Sequence, residues 1–531
     1  VLAIGYWERF FEDLRRSMAD LSVEDRLDYL AYLFNKEGPE GERLKGYFRD
    51  LVVSIYAKRR NKDPEAVRET LEEKGKDILE AAHVSEIAEA IAIMLMDIID
   101  LKPILYGEDE LYINDRGLLR EGGFVTRNAQ RIFGIKKRSL AQELENALMA
   151  EGKHYDREML SEILNPPGKL LLKNKVLNLD SLELEELNDK ELFTFRLDWA
   201  LDPARLKKIP EMSYEDFKER APKFFALYEQ VFDNEESRNQ AMEMLGATLI
   251  TSPVRKLFLL IGPRGTGKTT FLTVLNRVFK PAFANVEFSK ITNPEWRWNY
   301  SLMTALINTS AERSEVIARS PDRIKQLVGE YYLEYEAKHR NPIRARNITT
   351  HIFALNQPPI FPHYGDFIES LYIIFTTEKA VENPREMRLV VEEILAEKDA
   401  IAEFLVWCYY QLTKEGYVNF KHDMSEEEKR DYLIKEGNPV GLFLREECIL
   451  GADYREKGLN LYERFEEFCK ERGYKPPSLV KFYSILRSMG FEDVLDRDTH
   501  TKYFKGIALK ETAENEGKQR RLGDYEEPLP Y

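Results

Sequence analysis

Lys256 to Leu272 reads KLFLLIGPRGTGKTTFL, and this stretch decides the fold. An apolar run, Leu257-Phe-Leu-Leu-Ile261, leads directly into Gly262-Pro263-Arg264-Gly265-Thr266-Gly267-Lys268-Thr269-Thr270, after which Phe271-Leu-Thr-Val-Leu275 follows a helical pattern. Strand, glycine-rich loop and helix in this order make a phosphate-binding loop. Gly262, four intervening residues and Gly267-Lys268-Thr269 are the spacing at which backbone N–H groups cradle phosphates. The lysine reaches the terminal phosphates, and the Thr269 hydroxyl holds Mg²⁺. A glycine-rich turn is the bland alternative, and the flanking strand and helix argue against it.

Downstream, Leu302-Met-Thr-Ala-Leu-Ile307 reads as a second buried strand that ends at Asn308-Thr-Ser-Ala-Glu312. A nucleotide-hydrolysing site needs an acid at the tip of a neighbouring strand to organise Mg²⁺ or activate water, and Glu312 stands there. The alternative is a helix-capping glutamate. A third strand, Thr349 to Leu355, runs into Asn356-Gln-Pro-Pro359, where Asn356 can position the lytic water and sense the terminal phosphate. Strands in this order describe a parallel sheet with its ligand site at the carboxyl ends. Between the last two strands, Lys338, His339, Arg340 and Arg344 cluster about the turn Asn341-Pro342. Such a cationic tip either grips a phosphate backbone or is an exposed turn charged for solubility.

At 531 residues the chain has room for several domains, since single cores stop growing at roughly 250–300 residues. A formal net charge of −15 excludes a surface coated for nucleic acid, so any such contact must be local. Cys408, Cys448 and Cys469 lie far apart, which gives neither a disulfide framework nor a cysteine-rich zinc site and indicates an intracellular, cytoplasmic compartment. Ile87 to Leu101 is apolar but short and carries Glu89 and Asp97, so it reads as a buried helix with no membrane role. Asp97 and Asp100 read as a solvated helix end more readily than as metal carboxylates. The chain shows no signal peptide and starts at Val1, as a processed chain or one cut from a longer one does.

Residues 1–102 read as a helical N-terminal domain, and 103–215 as a small mixed α/β module of short alternating runs with turns at Asn114–Gly117 and Asn165–Gly168. An ATPase domain occupies 216–380, and a helical extension 381–435. The order of helix, turn, helix and two-stranded wing over 436–510 is that of a winged helix. Lys481, Arg487 and Lys502 there face DNA in one reading, and the domain binds protein in the other. The polar tail 511–531 reads as disordered; within it Gln519–Leu522 with Tyr525 faintly echoes a sliding-clamp peptide.

Taken together these residues resemble the superfamily 3 helicases, within them the primase-helicases of phages, plasmids and poxvirus-type viruses. The likeness rests on Lys173–Leu179, Leu245-Gly246, Ile324–Glu330, the cationic hairpin, Asn356–Pro359 and the segment opening at Asn438-Pro-Val. It implies an α/β AAA+ core with ATP and Mg²⁺, a hexameric ring, and a hairpin that draws single-stranded or forked DNA. Primase, polymerase or sliding clamp are the implied protein partners. Two features depart from the family. No arginine stands between Phe361 and Lys379, where a cation for the neighbouring subunit's phosphate is usual, which leaves Arg385, Arg388 or another arginine to replace it. Arg264-Gly-Thr266 also replaces the usual Asn-before-Gly of the loop. The expectation is an ATP-driven replicative DNA helicase without a visible primase site; the rival is an ATP-gated DNA-binding ring that loads or scaffolds replication proteins.

Overall fold

The computed structural model describes residues 2–510 apart from 20, 107–109, 134–138, 174, 189, 313–317, 337–341, 362–364, 383–384, 438, 473–475 and 496–500. The chain is a mixed α/β protein that divides into two compact units. The first unit holds residues 1–178, 184–196 and 343–346, and the second holds the remainder.

In the first unit six helices, from Leu2–Ser17 to Val84–Ile99, precede a four-stranded sheet. The apolar stretch around Ile91 does form a buried helix, because its residues Ile87, Ile91, Leu95 and Ile98 repeat at helical spacing. It shares one core with Ile113 of the sheet and with Leu140 and Leu144 of the following helix. Asp97 accepts a hydrogen bond from the Tyr47 hydroxyl at 3.0 Å, and Asp100 pairs with Lys102 at 3.8 Å. The turn at Asn114–Gly117 is a two-residue hairpin connection in which Arg116 (φ 48°) and Gly117 (φ 81°) both adopt positive φ, the geometry that suits the twist of the flanking strands.

The second unit is built on five parallel strands: β1 (Leu257–Ile261), β2 (Phe283–Ala284), β3 (Ile307–Ala311), β4 (Thr350–Leu355) and β5 (Leu371–Phe375), in the order β5-β1-β4-β3-β2. All five residues of β1 and all six of β4 are buried, as expected of strands covered on both faces. Three helices border the carboxyl ends of these strands: α1 (Pro222–Val231), α2 (Lys268–Val278) and α3 (Met387–Leu395). The second strand starts later than the sequence suggests. Leu302 and Met303 belong to a short helix, Tyr300–Met303, capped by the Asn299 side chain accepting from Ser301 N at 2.9 Å, and β3 begins at Ile307.

The C-terminal part of this unit places helices Gly458–Arg472 and Leu479–Ser488 beside a three-stranded antiparallel sheet. Asp493–Leu495 and Lys502–Leu509 pair antiparallel, and a further strand, Cys448–Lys457, pairs along Lys502–Leu509. Arg487 and Lys502 both pair with Asp493, at 3.0 and 2.9 Å. Residues 496–500 and the tail 511–531 with its Gln519–Leu522 motif lie outside the described residues. No helix among the described residues is long and apolar enough to cross a membrane.

Candidate functional site

The register of the sheet assembles the site. Leu355 of β4 lies opposite Ile261 of β1, and Ala354 lies opposite Ala311 of β3, so the three strands end level with one another. The residues that follow them are Gly262, Asn356 and Glu312. The backbone ladder continues past the tips: Gly262 N donates to Leu355 O at 3.2 Å, and Glu312 N to Ala354 O at 3.0 Å. A cleft of about 930 Å³ opens above these ends and is lined by Arg264 through Thr270, Glu312 and Asn356. The expected lysine, hydroxyl, acid and amide thus face one space, as the crevice at the carboxyl ends of parallel strands requires.

The loop's shape follows from its glycines. Gly265 (φ 81°) and Gly267 (φ 100°) occupy the left-handed region that a side chain disfavours. Gly262 answers to space instead, since a Cβ there would lie 2.2 Å from Thr376 Oγ1. Gly262→Ala is therefore expected to cost about 1–3 kcal/mol by overpacking. Adding Thr376→Ala should restore part of that loss, as read from denaturant melts of the single and double variants.

Lys268 opens α2 and is 6% exposed. Its ammonium donates to Gly262 O and Pro263 O, both at 2.6 Å, and approaches Thr266 Oγ1 at 3.3 Å. Burial lowers its pKa to about 8. Its position at the start of α2, where Gly267 supplies no side-chain cap, places a desolvated cation beside backbone N–H groups that the helix itself leaves without partners. Thr269, the next residue, is exposed. This set suits an oligophosphate: flexible glycines, a buried cation, helix-end amides and an exposed hydroxyl.

Glu312 makes the capping contact that the sequence offered as the alternative, and it also faces the cleft. Its Oε1 accepts from Phe288 N at 3.0 Å, the first residue of the short helix Phe288–Ile291, and from Ser310 Oγ at 3.1 Å. The carboxylate caps that helix while lining the cleft.

The cleft also brings in residues that local motifs do not reveal. Lys223, Ala226, Leu227 and Gln230 of α1 form one wall, and Met387, Val390, Glu393 and Ile394 of α3 form another. Thr273 Oγ1 of α2 lies 3.9 Å from Met387 Sδ, Arg277 pairs with Glu392 at 3.0 Å, and Val381 N donates to Gly265 O at 2.9 Å, which keeps this cover against the loop. The 223/226/227/230 spacing is visible in the sequence as one helix face, but only tertiary packing sets it over a loop more than thirty residues away. Arg385, an expected replacement for the missing cation, lines the cleft and forks onto Glu393 at 3.0 and 2.5 Å. Lys338, His339, Arg340 and Asn341 lie outside the described residues, and Arg344 falls in strand Ile343–Arg346 of the first unit.

Residues 260–367 match the model of a family described as a family of unknown function, DUF5906. No curated protein matches the chain. Among solved structures, the apo C-terminal region of NrS-1 is similar at 13% identity and a TM-score of 0.41, covering 76% of this chain and 96% of that one. An A-form apo structure of the same region gives 12% identity and a TM-score of 0.40 over 76% and 96% of the two chains. Likeness at this level assigns no activity, so the function rests on the chemistry of the cleft.

Proposed function

We propose that the second unit binds and hydrolyses ATP with Mg²⁺ and that the chain is a DNA-directed motor of the superfamily 3, AAA+ kind. The observation that carries this is the convergence of Lys268, Thr269, Glu312 and Asn356 on one cleft from the ends of three adjacent parallel strands. Within it Gly262 to Thr270 cradle the phosphates, Lys268 reaches the terminal ones, Glu312 draws a proton from the attacking water, and Asn356 orients that water. Thr269 and Glu312 would hold Mg²⁺, with phosphate and water completing its shell. When bound, the ion neutralises charge on the phosphate oxygens. The strand order β5-β1-β4-β3-β2 supports the AAA+ reading, because the loop strand stands between two partners and the acid and amide follow the next two in line. The direction toward DNA rests on the cationic turn Lys338-His339-Arg340 with Arg344, the winged-helix order of the C-terminal part, and the family resemblance. A hexameric ring in a prokaryotic or viral replication setting follows from that resemblance alone.

The rival, an ATP-gated ring that holds DNA or loads other replication proteins without unwinding, is favoured by one observation. Arg385, one of the cations expected to replace the absent one, pairs with Glu393. A forked DNA duplex separates the two. DNA-stimulated ATP turnover with strand displacement is expected of the motor, whereas DNA binding without displacement replaces it by the scaffold. Exchanging Lys338 and Arg340 for alanine should weaken DNA binding and leave ATP binding intact.

A further inference from the structure

Beyond the phosphate loop, Glu312 and Asn356, the cleft is lined by the charged Lys223, Arg385 and Glu393, by Gln230, and by an apolar set. Ala226 and Leu227 come from α1, Met387, Val390 and Ile394 from α3, and Val381 from the segment before it. Two apolar helix faces across a cleft suit a flat aromatic ring, which needs contact on its faces and hydrogen bonds only at its edge. The same wall carries Gln230, one helical turn beyond Ala226 and Leu227. Its Nε2 is buried and has no hydrogen-bond partner. It lies 3.7 Å from where a Cβ on Gly267 would stand, so the carboxamide sits beside the phosphate loop itself. A buried donor without an acceptor is costly to maintain. The cost is recovered if a ligand supplies the acceptor.

We infer that the apolar half of the cleft holds the nucleobase and that Gln230 selects adenine. A glutamine carboxamide matches that ring's edge in both senses: Nε2–H donates to a ring nitrogen while Oε1 accepts from the 6-amino group. On the corresponding edge, formed by N7 and position 6, guanine carries a carbonyl oxygen in place of the amino group and satisfies only the Nε2–H donor. This inference rests on the nucleotide reading of the loop and goes beyond it by naming the specificity residue.

The test is calorimetric titration of the full chain with ATP, GTP and tripolyphosphate. The unaltered protein is expected to bind all three and to prefer ATP over GTP. Gln230→Leu, which keeps an apolar body against the loop, should weaken ATP on the order of tenfold and leave GTP and tripolyphosphate within about twofold. Gln230→Glu replaces the donor with a second acceptor, complementary to the N–H edge of guanine, and should shift preference toward GTP. Tripolyphosphate binding shows in both variants that the loop remains folded. Equal weakening of all three ligands would make Gln230 a structural residue and overturn the inference, as would unchanged ATP affinity in both variants; the phosphate loop would survive either result. Failure of the unaltered protein to bind any of the three would remove the nucleotide reading and this inference with it.

Discussion

Lys268→Ala is expected to lower ATP turnover by about 10²-fold or more, the scale of removing one preorganised charge-stabilising donor from an active site. The ammonium is already desolvated, with its pKa brought down to about 8 by burial. An approaching phosphate therefore meets a cation that has shed much of its water, and the attraction between them is correspondingly stronger than in solvent. Groups of the loop itself occupy the ammonium, the carbonyls of Gly262 and Pro263 and the hydroxyl of Thr266. Exchanging these for phosphate oxygens needs a small movement of one flexible side chain. Phosphate release measured beside ATP binding checks the result. Turnover near the unaltered rate in Lys268→Ala would dismiss the phosphate-loop assignment.

Glu312→Gln should separate binding from hydrolysis. Glutamine retains an acceptor for Phe288 N and Ser310 Oγ, so the cap on helix Phe288–Ile291 persists. It cannot take a proton from water. ATP binding is expected to remain close to normal while turnover falls about 10²–10⁴-fold, the usual contribution of a positioned general base. Glu312→Ala is a different experiment, since it also strips the cap from the short helix and should lower thermal stability, typically by about 1 kcal/mol. If Glu312→Gln hydrolyses ATP normally, the carboxylate is a cap alone and the base is another residue. Single-turnover hydrolysis of prebound ATP, followed beside the melting temperatures of both variants, distinguishes these cases.

The loop and its two flanking elements were legible because they are local. A run of apolar residues without alternation marks a strand covered on both faces, and fixed glycine spacing marks the turn that follows. Asn356 was legible because it stands directly after such a run, and Glu312 because it closes the short stretch, Asn308–Glu312, into which another run leads. The start of β3 was not, since Leu302–Leu306 is apolar but for Thr304 and periodicity cannot separate a buried helix from a buried strand over so few residues. Asn299 decided it, as a cap whose meaning depends on its own conformation. The strand Cys448–Lys457 was hidden for the opposite reason. Gly451-Ala-Asp-Tyr-Arg-Glu-Lys457 carries little apolar signal, its register with Lys502–Leu509 shifts between Leu450 and Arg455, and its ladder to that partner is what makes it a strand. Gln230 and the α3 face are long-range features, and no window along the chain joins them to Lys268.

The hydrogen bonds that carry the ladder beyond the strand tips have a consequence for how the site moves. Gly262, Glu312 and Thr376 each donate a main-chain hydrogen to a neighbouring strand, to Leu355 O, Ala354 O and Ile261 O. Spreading those residues apart means unzipping the middle of the sheet, a motion whose free energy approaches that of unfolding the unit. The cover is held against the loop by the Val381 N–Gly265 O bond, while the exposed Arg277–Glu392 pair contributes little. Any widening of the cleft therefore falls to local movement of α3, over a floor that the sheet holds fixed.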